Sequence, residues 1–266
     1  MGFTQQITHE VTYMTAPNIE TSHAFTTRHG GVSEGIFLAL NLGLNRGDNP
    51  AKVRENYSRL CRALGILDTD IVIAKQVHGA NVEIVTRKDC GQLYAPTQRE
   101  ADGLITQELG VALMVFTADC VPILLHDAER GVIGAVHAGW RGTVADVAGA
   151  AARKMASRFG CADIYAAIGP CISKCCFETG PDVAQAMHKT LGQEAESCIQ
   201  PCGEKFMVDL KEANRVLLMR AGLRAENITV SDECTFCQSD KYWSHRRTNG
   251  ERGSQAAIIV MRGKNL

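Results

Sequence analysis

The sequence predicts an α+β fold, a single domain over residues 1–266 with central β-sheets flanked by helices. Three observations carry that expectation. Short apolar, β-branched runs recur along the whole chain, helical patterns fall between them, and no Pro/Gly/Ser-rich linker or fixed-period repeat divides the 266 residues. In chain order, polar Gly-rich loops at 28–35 and 41–49 come first, placed either to cap the core or to reach over a site. A helix is predicted at 49–64, then strands at 71–74, 82–85, 111–117 and 132–137. A helix at 144–159 closes on Gly160, a strand follows at 164–168, and helices follow at 182–191 and 209–221, the latter closing on Gly222. The last strand is predicted at 256–261.

Composition excludes several classes of function. The chain is 45% hydrophobic and 21% charged, with 28 basic against 29 acidic residues, so no charge excess draws it to nucleic acid or an anionic membrane. Aromatic residues make up 6% and do not interleave with a basic stripe, so nucleic-acid binding is not expected. Eleven cysteines, an odd number without small-domain spacing, suit a reducing compartment better than a disulfide framework. The first ten residues have neither a basic start nor an apolar stretch, and the apolar runs at 111–116 and 121–125 fall short of the roughly 20 residues a membrane helix needs. The expectation is a soluble, cytoplasmic protein.

The candidate chemistry lies where apolar strands end. Lys75-Gln76-Val77-His78-Gly79, Thr117-Ala118-Asp119-Cys120-Val121-Pro122 and Ala135-Val136-His137-Ala138-Gly139-Trp140-Arg141-Gly142 each follow a β-type run with a His or Cys, then a Gly or Pro that turns the backbone. Two imidazoles and a thiolate are good ligands for a soft-to-borderline cation, and three protein ligands leave a fourth position open for catalysis. Their spacing matches no short metal pattern. The same residues also read as a buried Cys with hydrogen-bonded structural histidines, or as a Cys nucleophile activated by His with Asp119 or another acid orienting it.

Cys234-Thr235-Phe236-Cys237 is a CxxC, but a structural zinc needs a second pair, and Cys171, Cys175, Cys176, Cys198 and Cys202 do not repeat that spacing. Ser244-His245-Arg246-Arg247 and Trp140-Arg141 offer guanidinium groups for phosphate or carboxylate, or simply a solvated surface. No phosphate-binding GxxxxGK[ST] loop or dinucleotide glycine pattern occurs.

At these residues the chain resembles the YfiH/FAMIN-type family, earlier described as multicopper polyphenol oxidases or laccases. The matching blocks are His23-Ala24-Phe25-Thr26-Thr27-Arg28 with Gly30-Gly31-Val32-Ser33, Leu40-Asn41-Leu42-Gly43, Gln76-Val77-His78-Gly79, Ala101-Asp102-Gly103, the Cys120 and His137 segments, Ile168-Gly169-Pro170, and Ser244-His245-Arg246-Arg247.

The resemblance implies zinc held by His78, Cys120 and His137, with copper able to take the same place. It implies phosphorolysis of purine nucleosides (adenosine, inosine, guanosine, methylthioadenosine) with adenosine deamination alongside, small-molecule nucleoside and phosphate as partners, and a monomer. Zinc deaminases use a nearby Glu as proton shuttle, and none can be named from this sequence. By residue type, Arg28, Arg141 and Arg247 are candidates for phosphate and Asn41 for a base or ribose contact.

One departure stands out: where many relatives carry Asn-Arg in the first helix, this chain has Asn56-Tyr57, with Arg59 two positions on. The alternatives are a copper-dependent polyphenol oxidase and a hydrolase editing a peptidoglycan precursor. A multicopper centre wants paired H-x-H spacings, and the eight histidines here contain none.

Overall fold

The computed structural model describes residues 2–95 and 97–262. Two six-stranded mixed sheets lie face to face with helices on both outer faces, the α+β arrangement expected. The first sheet orders Thr4–Thr8, Val11–Thr15, Ser22–Thr26, Gln255–Val260, Ala112–Thr117 and Ile71–Val72. The second orders Ile228–Val230, Tyr165–Ile168, Val121–Asp127, Val132–Ala138, Gly103–Thr106 and Val82–Ile84.

Strict alternation within the central strands builds the layers. Leu113, Val115, Leu124, Ile133, Ala135, Ala257 and Ile259 meet between the sheets. Their neighbours Ile123, Leu125, Val132 and Val136 turn outward to the helices Val147–Phe159, Pro181–Leu191 and Leu210–Arg220. On the opposite outer face Met114, Ile258 and Val260 pack with Val53, Tyr57, Leu60 and Leu64 of helix Pro50–Leu64. Both faces of each central strand are buried, which is why the sequence reads there as unbroken apolar runs.

The predicted strands and helices are found within a few residues of their expected bounds. The helix predicted at 144–159 is two: Trp140–Val144 ends, Asp146 adopts a left-handed conformation, and its side chain accepts from Gly149 N to start Val147–Phe159. Gly160 is a left-handed C-cap, whereas at the later helix Ala221 caps and Gly222 follows it. The three N-terminal strands and a small sheet of Glu178–Thr179, Lys205–Val208 and Ile199–Cys202 are not among the predicted strands, because polar or exposed residues interrupt their apolar pattern; nor are the short strands Gly103–Thr106 and Ile228–Val230, nor Val121–Asp127, whose apolar run at 121–125 carries Pro122 at its start. Among the described residues no helix is long and apolar enough to cross a membrane.

Candidate active site

A hairpin end, the start of a neighbouring strand and a loop converge at one end of the sheets. Val121–Asp127 and Val132–Ala138 form a hairpin in which Val121 pairs with Ala138 and Pro122 with His137, so Cys120 and His137 arrive side by side. His137 N donates to Asp102 O (2.7 Å), which places the start of Gly103–Thr106 against the same spot. His78 comes from the loop after Ile71–Val72 and adopts φ 60°, a left-handed conformation that L-residues enter only under compulsion.

That compulsion is Asp102. Its buried carboxylate accepts the backbone N–H of Val77 (3.1 Å), His78 (3.0 Å) and Gly79 (2.7 Å), and also His137 Nδ1 (2.8 Å). One side chain therefore sets the path of the His78 loop and fixes the tautomer of His137, leaving Nε2 of His137 for the cavity. Gln76 secures the other side of the loop, donating to Phe116 O (2.8 Å) and accepting from Phe116 N (2.7 Å).

The donor atoms of His78, Cys120 and His137 lie within 4.8 Å of one another, with Cys120 Sγ 3.9 Å from His78 Nε2. For zinc, ligand distances of about 2.0–2.3 Å give tetrahedral N···S edges of about 3.5 Å, so this donor set closes on a single ion with minor adjustment. The rings of His78 and His137 meet edge to face at 4.9 Å. Burial pushes the Cys120 thiol up, but the adjacent His137 and His78 outweigh it and bring its pKa down to about 6. Burial likewise opposes charge on His137, yet Cys120 and Asp102 raise its pKa to about 9. In the absence of a cation the site thus favours a thiolate–imidazolium pair, whose proton a metal ion would displace. The acid that orients an imidazole is Asp102; the Asp119 carboxylate turns away to Thr235 Oγ1 (2.7 Å), Ser244 Oγ (3.0 Å) and Arg246 N (2.7 Å).

The trio lies between two chambers. The first, about 460 Å³, is polar at its rim and includes Arg46, Lys75, Gln76, Phe116, Arg252 and Ser254 in its lining. The second, about 330 Å³, is walled by Trp140, Ile172, Phe177 and Leu210 with His245 and Arg246 at its edge. Arg46, His78, Ala118, Cys120 and Arg252 line both. Among the described residues neither Arg46 nor Arg252 has a carboxylate within ion-pair distance. Arg252 is buried; its Nη1 donates to Gly253 O and Ser254 Oγ, and its Nε has no partner. Burial, and after it the neighbouring Arg46, lowers the Arg252 pKa to about 10.

Of the residues singled out in the sequence, His78, Cys120 and His137 are brought together; Arg28, Arg141, Arg247 and Asn41 line neither chamber. Arg28 spends its guanidinium on Leu38 O (Nε, 2.8 Å; Nη2, 2.6 Å) and Ser239 O (Nη1, 2.9 Å) beside Trp243. Arg141 is exposed over Trp140, and Arg247 donates to Phe236 O over the Phe236 ring. Asn41 is fully buried behind the wall, accepting from Gly43 N and Ser254 N, both of whose residues face the first chamber. Arg59 pairs with Glu55 and Glu10 and lies outside both chambers. The 41–49 loop does reach over the site, through Gly43–Arg46.

Fold and site together define an α+β protein with a His₂Cys centre set between two chambers. The chain belongs to the family described as multi-copper polyphenol oxidoreductase laccase, whose model matches residues 22–262. It is 40% identical over 243 residues to the purine nucleoside phosphorylase YlmD of Geobacillus stearothermophilus, covering 89% of each chain. It is 34% identical over 239 residues to adenosine deaminase RL5 of an unknown prokaryotic organism, covering 87% of this chain and 91% of that one. The crystal structure of YlmD from Geobacillus stearothermophilus matches with a TM-score of 0.92 at 37% identity, over 97% of this chain and 98% of the other.

Proposed function

We propose that this chain, as one catalytic domain, is a zinc-dependent purine nucleoside phosphorylase that also deaminates adenosine. The observation that carries the reading is a pair of guanidiniums in no ion pair among the described residues, Arg46 and Arg252, beside a three-ligand donor set that faces open space. Two guanidiniums held side by side without an ion pair, the nearby Asp119 carboxylate being engaged by Thr235, Ser244 and the Arg246 backbone, suit an anion, and phosphorolysis needs inorganic phosphate held against the nucleoside.

His78, Cys120 and His137 would hold the zinc, which when bound supplies Lewis-acid polarisation of the reacting group. The protein's own residues do the rest. Arg252, with its buried stem and unpartnered Nε, and Arg46 from the 41–49 loop bind phosphate and stabilise the negative charge that passes between phosphate and purine. Phe177, Trp140 and Ile172 offer an apolar wall for a flat base and exclude water from it. No glutamate lines either chamber among the described residues. His245, whose pKa burial and Arg252 lower so that it is neutral near pH 7, is the group at the second chamber that exchanges a proton with the base.

A His₂Cys set also suits copper, which keeps phenol oxidation as the second reading. Incubating zinc-loaded protein with adenosine and phosphate, with Cys120→Ser as control, separates the cases by mass spectrometry. Adenine with ribose 1-phosphate supports phosphorolysis and inosine supports deamination when the control is silent. No purine turnover, together with phenol oxidation that requires copper, would replace this reading by the second.

A further inference from the structure

A second donor cluster lies outside the two chambers. Strands Tyr165–Ile168 and Ile228–Val230 run parallel, Ala166 beside Ile228, so the chain leaves both at the same end. The two outgoing segments stay joined: Ser231 N donates to Ile168 O (2.8 Å), Thr235 N to Cys171 O (3.0 Å), and Cys171 and Cys234 form a parallel bridge. A turn in which Cys176 N and Phe177 N both donate to Ser173 O presents Cys175 and Cys176 toward the Cys234–Cys237 pair.

The result is four sulfurs within 4.8 Å of one another. Cys175 Sγ is 3.5 Å from Cys176 Sγ and 3.8 Å from Cys237 Sγ, and Cys176 Sγ is 3.3 Å from Cys237 Sγ. Zinc–sulfur bonds of about 2.3 Å in a tetrahedron require S···S edges of about 3.8 Å, whereas a disulfide closes to about 2.05 Å. These thiols have the spacing of the first arrangement and are all free. The surroundings favour negative sulfur at Cys234, whose Sγ accepts from Ser173 N (3.3 Å) and from the backbone N–H groups of Phe236 and Cys237, whereas burial raises the thiols of Cys175 and Cys176, which a metal ion would have to deprotonate. Ser173 also ties in a buried cation, since Lys211 Nζ donates to Ser173 Oγ (3.0 Å), Ser231 O (2.7 Å) and Glu233 O (2.8 Å). A divalent ion with four thiolates carries two net negative charges, which that ammonium and those N–H donors offset.

We propose that Cys175, Cys176, Cys234 and Cys237 form a closed, structural zinc site. It has no open position and performs no chemistry of its own. It pins together two segments that end at the second chamber, one through Phe177, the other through Thr235 and Arg246, which both bind the Asp119 carboxylate. The CxxC of the sequence finds its partner pair in two adjacent cysteines, a spacing that only the parallel strands make usable.

The test uses untagged full-length protein produced with zinc. Elemental analysis is expected to give two zinc ions per chain in the wild type, one in Cys120→Ser, and one in the Cys176→Ser/Cys237→Ser double variant, with the melting temperature of the double variant lowered by several degrees. X-ray absorption at the zinc edge of Cys120→Ser is expected to show four sulfurs at about 2.3 Å. Should the double variant fail to fold, alkylation of the wild type decides: Cys175 and Cys237, both exposed, react slowly with zinc present and rapidly after a strong chelator. Folded Cys120→Ser that is free of zinc, a nitrogen or oxygen shell around its zinc, a disulfide among the four cysteines, or alkylation indifferent to the chelator would each overturn the proposal.

Discussion

The Asp102 carboxylate holds His137 by Nδ1 at 2.8 Å and, with the same two oxygens, fixes the backbone of His78 through three N–H groups. Two of the three candidate ligands therefore depend on one buried acid. Replacing Asp102 by Asn keeps the size but turns one acceptor oxygen into a donor that faces N–H groups. Outer-shell partners of this kind are worth about 10–100-fold in metal affinity. Asp102→Asn is expected to weaken zinc binding by that factor in a chelator competition while Cys120 remains in place. Unchanged affinity would mean that the carboxylate serves the loop alone.

Gly139 lies directly behind the trio. A Cβ there would stand 2.8 Å from His78 Cδ2 and 3.1 Å from Cys120 Sγ, closer than side chains tolerate. The backbone at Gly139, φ −68° and ψ 173°, is open to any residue, so the requirement is for space and not for conformation. Gly139→Ala should therefore cost under about 1 kcal/mol in folding, as alanine does in place of glycine at a helix N-cap. It should nevertheless displace the His78 ring and reduce zinc content. Thermal unfolding and elemental analysis read the two effects separately; a variant that unfolds early but still binds zinc fully would contradict the argument.

Much of the site could be read from the sequence where local chemistry announces it. His78, Cys120 and His137 each follow an apolar run and precede a Gly or Pro; Cys120 and His137 do lie at the end of one hairpin, while His78 reaches them from the loop that follows Ile71–Val72. Asp102 stands in one of the blocks that carry the resemblance, but its role is not legible there, because its partners at 77–79 are backbone groups whose approach exists only once the sheet has formed. Arg252 sits in an unpatterned stretch before the last strand, and its importance comes from what only the folded site shows, a buried guanidinium in no ion pair whose Nε has no partner. Conversely Arg28 and Arg141 have the right chemistry in Gly-rich segments, but backbone carbonyls and an aromatic ring already occupy them. Most central strands are legible through their doubly buried faces, as Val132–Ala138 is, but the equally buried Val121–Asp127 is not among the predicted strands, and neither are the N-terminal strands with their interleaved polar residues.

Tyr57 is wholly buried in the core beneath the first sheet. Its hydroxyl donates to Leu42 O at 2.7 Å, and its ring meets Tyr94 edge to face at 5.8 Å. Tyr57→Phe leaves that carbonyl without its donor and is expected to cost about 1–2 kcal/mol, a drop of roughly 2–6 °C in melting temperature for a chain of this size. Tyr57→Arg would bury a charge with no carboxylate facing it and should destabilise more. Neither should change zinc content, because Tyr57 touches none of the three ligands; loss of metal on Tyr57→Phe would show a coupling through Leu42 and the 41–49 loop.

Arg46 and Arg252 provide the sharpest separation between the two proposed activities. Phosphorolysis consumes phosphate, and deamination of adenosine requires only water. A charge-assisted hydrogen bond contributes about 1.5–3 kcal/mol, so Arg46→Ala should raise the KM for phosphate by about 10–100-fold. Arg252→Lys keeps the charge on a shorter, non-planar head that cannot reproduce the guanidinium fork, and should raise it by a similar factor. In both variants the rate of inosine formation from adenosine without phosphate should stay within about twofold of wild type, provided zinc content is unchanged. Equal loss of both activities would show that the two guanidiniums hold the nucleoside and not the phosphate, and would move the anion site away from the rim of the first chamber.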